Sequence, residues 1–247
     1  MPLKELEDYD WFPPLLRKYQ LQFIGIMVQK FGLYRKVAEM VNSTIKKTSI
    51  DTITDLCSGS GLPAIYVHQR LINSGFTTIL TDKFPQPIQH ITGVIYDAAP
   101  LDINDFIPRV DTYYTMYNAF HHFEVDKQKQ IIQKVIDAKA NLLIVEIVQP
   151  TILSFIQVTL ASTLGVWLLN PLIRPFEWKR FVLTYIMPIN VLTVLIDGYI
   201  SILKSKSKSQ YNAILMPLEP SKTIISVEQH FVFPAPIITI NIQSNHA

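Results

Sequence analysis

Ile53-Thr-Asp55-Leu-Cys57-Ser-Gly59-Ser-Gly61-Leu-Pro63 decides how this 247-residue chain is read. A β-branched run enters the segment from Thr52, and an apolar run with helical spacing leaves it. The whole therefore reads as strand, glycine turn, helix. Glycines let the backbone bend sharply and let a ligand come close, because no Cβ intervenes. The helix starting after Gly61 offers free N–H groups and a partial positive charge, which suit a carboxylate or a phosphate. Two departures weigh against phosphate. A dinucleotide turn wants a third glycine, where this chain continues Leu62-Pro63-Ala64, and the Gly-Lys-Ser/Thr of a P-loop is absent. Asp55 stands before the turn, where it can accept from the amino group of an amino-acid moiety.

On either side of this segment, strand-like and helix-like runs alternate. Strands are expected at 52–56, 77–81, 93–96, 112–116 and 141–147, with helices at 62–74, 87–92 and 126–139 between them. Short β-branched strands alternating with helices imply a parallel sheet wrapped by helices. Before it, residues 11–47 show helical periodicity, with Pro13 and Pro14 suited to a first turn and Gly32 breaking the stretch. After it, 223–233 and 236–243 read as an antiparallel pair. Asp82 closes the second strand, about twenty residues after the glycine turn, where an acid can grip both hydroxyls of a ribose. Asp97 ends the third strand, and the fourth delivers Tyr117-Asn118-Ala-Phe120-His121-His122-Phe123 to the same sheet edge. Ligands of open α/β sheets bind beyond the carboxyl ends of the strands, so these segments converge on one crevice.

In this order, Asp-Leu-Cys-Ser-Gly-Ser-Gly, Asp82, Asp97 and Asn-Ala-Phe-His-His-Phe resemble the class I S-adenosylmethionine-dependent methyltransferases over roughly residues 50–150. The resemblance implies a Rossmann-like α/β fold, a mostly parallel seven-stranded sheet ending in an antiparallel pair. It implies S-adenosyl-L-methionine as cofactor, with Asp55, Gly59 and Gly61 around the methionine part. Cys57 packs within the same turn and is counted with them. Asp82 is then expected on the ribose, Asp97 near adenine, and Asn118 beside the methionine or the reacting methyl. One domain is expected, made of an N-terminal helical flap (1–49), a cofactor-binding core (50–150), an apolar helical insertion (151–210) and a C-terminal hairpin (211–247).

Composition narrows the partners. The net charge is +2, with 17% charged residues and no general basic excess, so nucleic acid is not an expected partner. One cysteine permits no internal disulfide and fits a reducing compartment. Lys4, Glu5, Glu7, Asp8 and Asp10 precede any apolar run, the reverse of a secretory signal, so a cytoplasmic protein is expected. Mean hydropathy is high at +0.22, and the surplus lies after Val148.

Methyl transfer from a sulfonium needs alignment and exclusion of water more than strong acid–base help. His121 and His122 are candidate bases or structural residues. No third ligand is spaced near them, so no metal site is expected. Residues 148–173 and 181–196 carry no charge, and Arg174-Pro-Phe-Glu-Trp178-Lys179-Arg180 bridges them. This stretch resembles an insertion found in a subgroup of bacterial methyltransferases. Three placements fit it: a membrane span, a buried cap walling an apolar acceptor pocket, or a layer lying on a lipid surface at the inner face of a membrane. Tyr185, Asp197 and Arg174 are its candidate acceptor-side residues, and the acceptor is expected to be a small apolar or amphiphilic molecule. Two other functions stay open: an oxidoreductase using NAD, and a non-catalytic module kept for binding a membrane or partner.

Overall fold

The computed structural model describes residues 3–46, 50–71, 75–110, 112–218, 223–232 and 235–244. Its centre is a seven-stranded sheet of order β3-β2-β1-β4-β5-β7-β6. The strands are β1 (Thr52–Leu56), β2 (Thr77–Thr81), β3 (Val94–Tyr96), β4 (Thr112–Tyr117), β5 (Asn141–Glu146), β6 (Thr223–Val232) and β7 (Ala235–Ser244). The first five are parallel, and β7 runs antiparallel to both β5 and β6. Every residue of β4 and β5 is buried, as expected for central strands covered on both faces.

Helices α1 (Pro14–Phe31), α2 (Arg35–Ile45) and α3 (Leu62–His68) cover one face, where Val37, Val41, Ile65, Val67 and Leu143 share a core. On the other face, α4 (Val125–Asp137) packs Ile131, Ile132 and Val135 against Leu142, Ile144 and Ile240. Gly32 ends α1 at φ +60°, the left-handed geometry that glycine adopts without strain. The strands fall within a residue or two of the periodicity. The helix expected at 62–74 ends at His68, with Ile72–Ser74 outside the described residues, as are Lys47, Phe233 and Pro234 at the edges of other expected elements. The helix expected at 87–92 does not form: the segment is irregular. Pro85 and Pro87 remove two donors and hold their predecessors extended, which opposes a short helix.

The insertion is helical, with its polarity reversed. Helix α5 (Ile152–Leu172) is long and apolar enough to cross a membrane, yet only 17% of its most apolar stretch is buried. Helices α6 (Trp178–Ile186) and α7 (Ile189–Lys204) follow, bent by 75° at their junction. Most of the exposed large apolar side chains lie here, including Ile152, Leu168, Phe176, Trp178 and Ile186. The buried positions include a polar set, Ser162, Arg180, Thr184, Asn190, Thr193, Asp197 and Ser201, beside apolar Val166, Ile173, Val191, Val194 and Ile202. Of the three placements, a cap with all of its apolar surface turned inward does not fit these exposures. A small contact cluster joins the insertion to α1 through Phe23, Ile26, Val166, Val191 and Val194. The last helix, α8 (Lys208–Leu215), starts with a capping box between Ser207 and Gln210 and returns the chain to the sheet.

Candidate active site

The loop after β1 is stretched across the sheet edge by three left-handed residues, Cys57 (φ +56°), Gly59 (+54°) and Gly61 (+72°). A Cβ on Gly61 would stand 2.5 Å from Leu80 Cδ1, and one on Gly59 would stand 2.8 Å from Leu21 Cδ2. The glycines thus let α1 and β2 close tightly around the turn. The Ser58 hydroxyl donates to Asp55 O and accepts from Thr81 N, tying the turn to β2. Asp82 holds the other side: its carboxylate accepts from Gly59 N at 2.8 Å and from Phe84 N at 2.7 Å. The Tyr96 hydroxyl donates to Gly59 O. The loop's backbone is held before any ligand arrives.

Beyond the loop lies a cavity of about 420 Å³, in the range typical of small-molecule sites. One wall consists of Cys57–Ser60, Asp82 and the Leu101–Asn104 segment; Asn118 and Tyr117 stand at its floor. Asn118 adopts φ +55° and accepts from Ile147 N through its side chain, which locks the ends of β4 and β5 together. Cys57 faces this wall, and burial together with the Asp82 and Asp55 charges pushes its thiol well up, which keeps it protonated.

Further lining comes from the start of the expected N-terminal flap. Leu3–Glu5, Glu7 and Asp8 form a strap over the cavity, facing His122, Ser201 and Lys204. His122 Nδ1 bonds Asp8 at 3.0 Å, and Lys204 Nζ stands 3.9 Å from the same carboxylate. Burial alone lowers the His122 imidazole, but the Glu5 and Asp8 carboxylates outweigh it and raise it to about 10. The ring therefore carries its proton at neutral pH in this setting, so His122 donates rather than acting as a free base. His121 lies behind it, fully buried, with Nδ1 on Glu146. Glu146 also accepts from Phe120 N and His121 N, so it fixes the whole Phe120–His122 turn.

The other expected site residues divide clearly. Gly61 starts α3, behind the cavity wall. Asp55 does not face the cavity: it is buried beneath the turn, where the Thr115 hydroxyl donates to it. Asp97 is exposed and caps its own turn through Ala99 N, whereas Asp102 reaches the cavity. Two residues expected on the acceptor side lie away from the cavity lining. Tyr185 donates to Trp167 O within the insertion, outside the cavity. Asp197 accepts from Leu6 N, Glu7 N and Gln20 Nε2, so it anchors the strap and does not line the cavity. Arg174 is exposed as well. Glu5, Asp8 and Glu146 went unread because their partners are brought to them only by the fold.

Burial raises the Asp55 carboxyl from 3.8 to about 7. The unfolded chain gives up this proton at a lower pH than the folded one, so this contribution to stability is lost as pH climbs from about 4 to 7. Asp55→Asn keeps the acceptor for Thr115 and removes the charge. Its melting temperature relative to wild type is expected to rise between pH 5 and pH 8, by roughly 5 °C. Scanning calorimetry checks this; a flat difference across that range means that Asp55 is not the group that titrates.

With this geometry in view, the comparisons with solved structures decide the architecture. The plantazolicin methyltransferase BpumL in complex with SAH matches with a TM-score of 0.55 over 94% of this chain and 96% of that chain, at 9% identity. Its complex with a monoazolic desmethylPZN analog and SAH gives 0.52, over 91% and 85% of the two chains, again at 9% identity. Human N-acetylserotonin methyltransferase with SAM gives 0.51 at 12% identity, over 92% of this chain and 56% of that one. The fold is that of the class I methyltransferases. No family model and no curated protein matches the sequence. The methyltransferase fold accounts for the seven-stranded order and for the place of the cavity at the carboxyl ends of β1, β2 and β4. The strap and the insertion are the features through which this chain sets the far wall of that cavity.

Proposed function

We propose that this protein transfers a methyl group from S-adenosylmethionine to a small amphiphilic acceptor that it meets at a lipid surface. One observation carries the reading: a single cavity has the glycine turn and Asp82 on one wall and a carboxylate-backed His122 on the other. The fold neighbours whose structures contain SAH or SAM support the choice of cofactor. So does Gly59 at the cavity lining, where the backbone can meet a ligand with no Cβ between. In this reading Asp82 and Asn118, which also line the cavity, hold the cofactor's ribose and methionine ends.

S-adenosylmethionine supplies a methyl group already activated as a sulfonium, so the carbon–sulfur bond breaks as an acceptor lone pair forms the new bond and a thioether leaves. The chain's own residues align the acceptor and handle its proton. The His122 ring donates to the acceptor's heteroatom, and the carboxylates beside it, Glu5 and Asp8, receive the proton that methylation releases. The strap, held down by Asp197 and by Arg17 on Glu7 O and Tyr9 O, keeps water out during the step.

The lipid surface is argued from the insertion. Trp167 and Trp178 flank the bare face with Lys179 beside them, the mix of aromatic, apolar and basic groups that suits an interface. Each such apolar side chain removed from water contributes about 1.5–3 kcal/mol, so a few suffice for binding. The wild-type chain is expected to float with vesicles of phosphatidylcholine and anionic phosphatidylglycerol, and Leu168→Glu with Phe176→Glu to remain below. Labelled methyl from S-adenosylmethionine is expected in a lipid extract presented on those vesicles. A wild-type chain that stays in the supernatant sinks the lipid half of this reading; a chain that labels nothing in lipid or aqueous extracts sinks the enzymatic half.

A further inference from the structure

We propose that Glu5, His121 and His122 together bind one divalent transition-metal ion of the zinc type. Their donor atoms all lie within 4.8 Å of one another. Glu5 Oε1 is 3.5 Å from His121 Nε2, and Glu5 Oε2 is 3.5 Å from His122 Nε2.

Three features of this cluster point to an ion. Each ring has its Nδ1 engaged by a separate carboxylate, Glu146 for His121 and Asp8 for His122. A carboxylate on Nδ1 is the arrangement that aims the Nε2 lone pair of an imidazole at a metal. Next, Glu5 Oε1 and His121 Nε2 are both buried, at 3% and 0% residue exposure, and neither has a hydrogen-bond partner. Buried polar atoms without partners are costly, and two that face each other ask for something between them. A shared proton is a poor fit, because a charge-assisted bond would draw the pair to about 2.7–2.9 Å. Two ligand bonds of about 2.1 Å at a tetrahedral angle span roughly 3.4 Å, close to the separations seen. Lastly, two imidazoles and one carboxylate are the donor set of open catalytic sites for zinc and iron(II).

The third ligand, missing from the sequence reading, comes from the strap, so the expectation of no metal site rested on spacing alone. Glu5 and His122 line the cavity while His121 does not, which leaves the free coordination position facing the acceptor's space. This deepens the methyl-transfer reading in one respect. An ion held there would take over from the His122 proton in holding the acceptor's heteroatom, and would lower that group's pKa.

The test uses the full chain, stripped with a chelator and titrated calorimetrically with Zn²⁺ at neutral pH. Co²⁺ is added in parallel, and its visible absorption reports the coordination. One ion per chain is expected for wild type, with none for Glu5→Gln or His122→Asn. Asp8→Asn, which alters only the group behind His122, should weaken binding by about 10–100-fold. His230→Asn, on β6, should bind as wild type does. S-adenosylmethionine titrated into the same samples reports folding: variants that bind it but not the ion support the site. Wild type without saturable uptake, or Glu5→Gln with unchanged uptake, overturns the proposal and leaves the cluster as an ion pair filled by protons. Ion uptake without S-adenosylmethionine binding instead counts against the methyl-transfer reading alone.

Discussion

Asp82→Ala is expected to weaken S-adenosylmethionine binding by about 100-fold or more. The carboxylate holds the Gly59 and Phe84 N–H groups, so its loss loosens the turn in the free and the bound protein alike. It also lines the cavity, so hydrogen bonds to the ribose hydroxyls are lost, and bonds to a charged group contribute about 1.5–3 kcal/mol each. Since 1.4 kcal/mol is a factor of ten, two such bonds at the lower end of this range exceed two decades. Asp82→Asn keeps one acceptor and should fall between the two proteins. Calorimetric titration measures all three, and an Ala variant within threefold of wild type removes Asp82 from the cofactor site.

His122→Asn should lower methyl transfer by about 10²–10³-fold while leaving S-adenosylmethionine affinity within a factor of a few. The ring bonds Asp8, whereas the glycine turn is held by Asp82 and Tyr96, so loss of the ring leaves the turn's own supports in place. What goes is a charged donor, or an ion that it helps to hold, directed at the heteroatom where charge changes during the reaction. Tyr185→Phe serves as the comparison, because that hydroxyl bonds Trp167 O within the insertion and does not line the cavity. Initial rates of label transfer, paired with cofactor titrations, separate the two steps. Equal rates for His122→Asn and wild type would mean that the acceptor lies elsewhere.

The sheet and the cofactor wall were legible in the sequence for a local reason. The ends of β1, β2 and β4 are each announced by a β-branched run that stops at a turn residue, and the glycine turn names its own geometry. The acceptor wall was not, because it is assembled from pieces far apart in the chain. Glu5 and Asp8 look like a solvated acidic start until the fold lays them on His122, and Glu146 looks like an ordinary strand end. Asp55 and Asp97 show the converse limit: the right residue type at a strand end does not say which way the carboxylate turns. In the insertion a usable signal was present and misread. Asn190, Thr193, Asp197 and Ser201 are three or four residues apart and form one polar stripe on an apolar helix. Taken as a stripe, they predict a helix turned polar side inward, as it is.

Asp197 stands in the middle of α7, with its carboxylate on the backbone of Leu6 and Glu7, one residue past Glu5. Its neighbours along the helix, Leu192, Ile196 and Leu203, have no cover. One turn of this helix thus shows a bare Ile196 to the outside and, through the adjacent Asp197, holds the strap that lines the cavity.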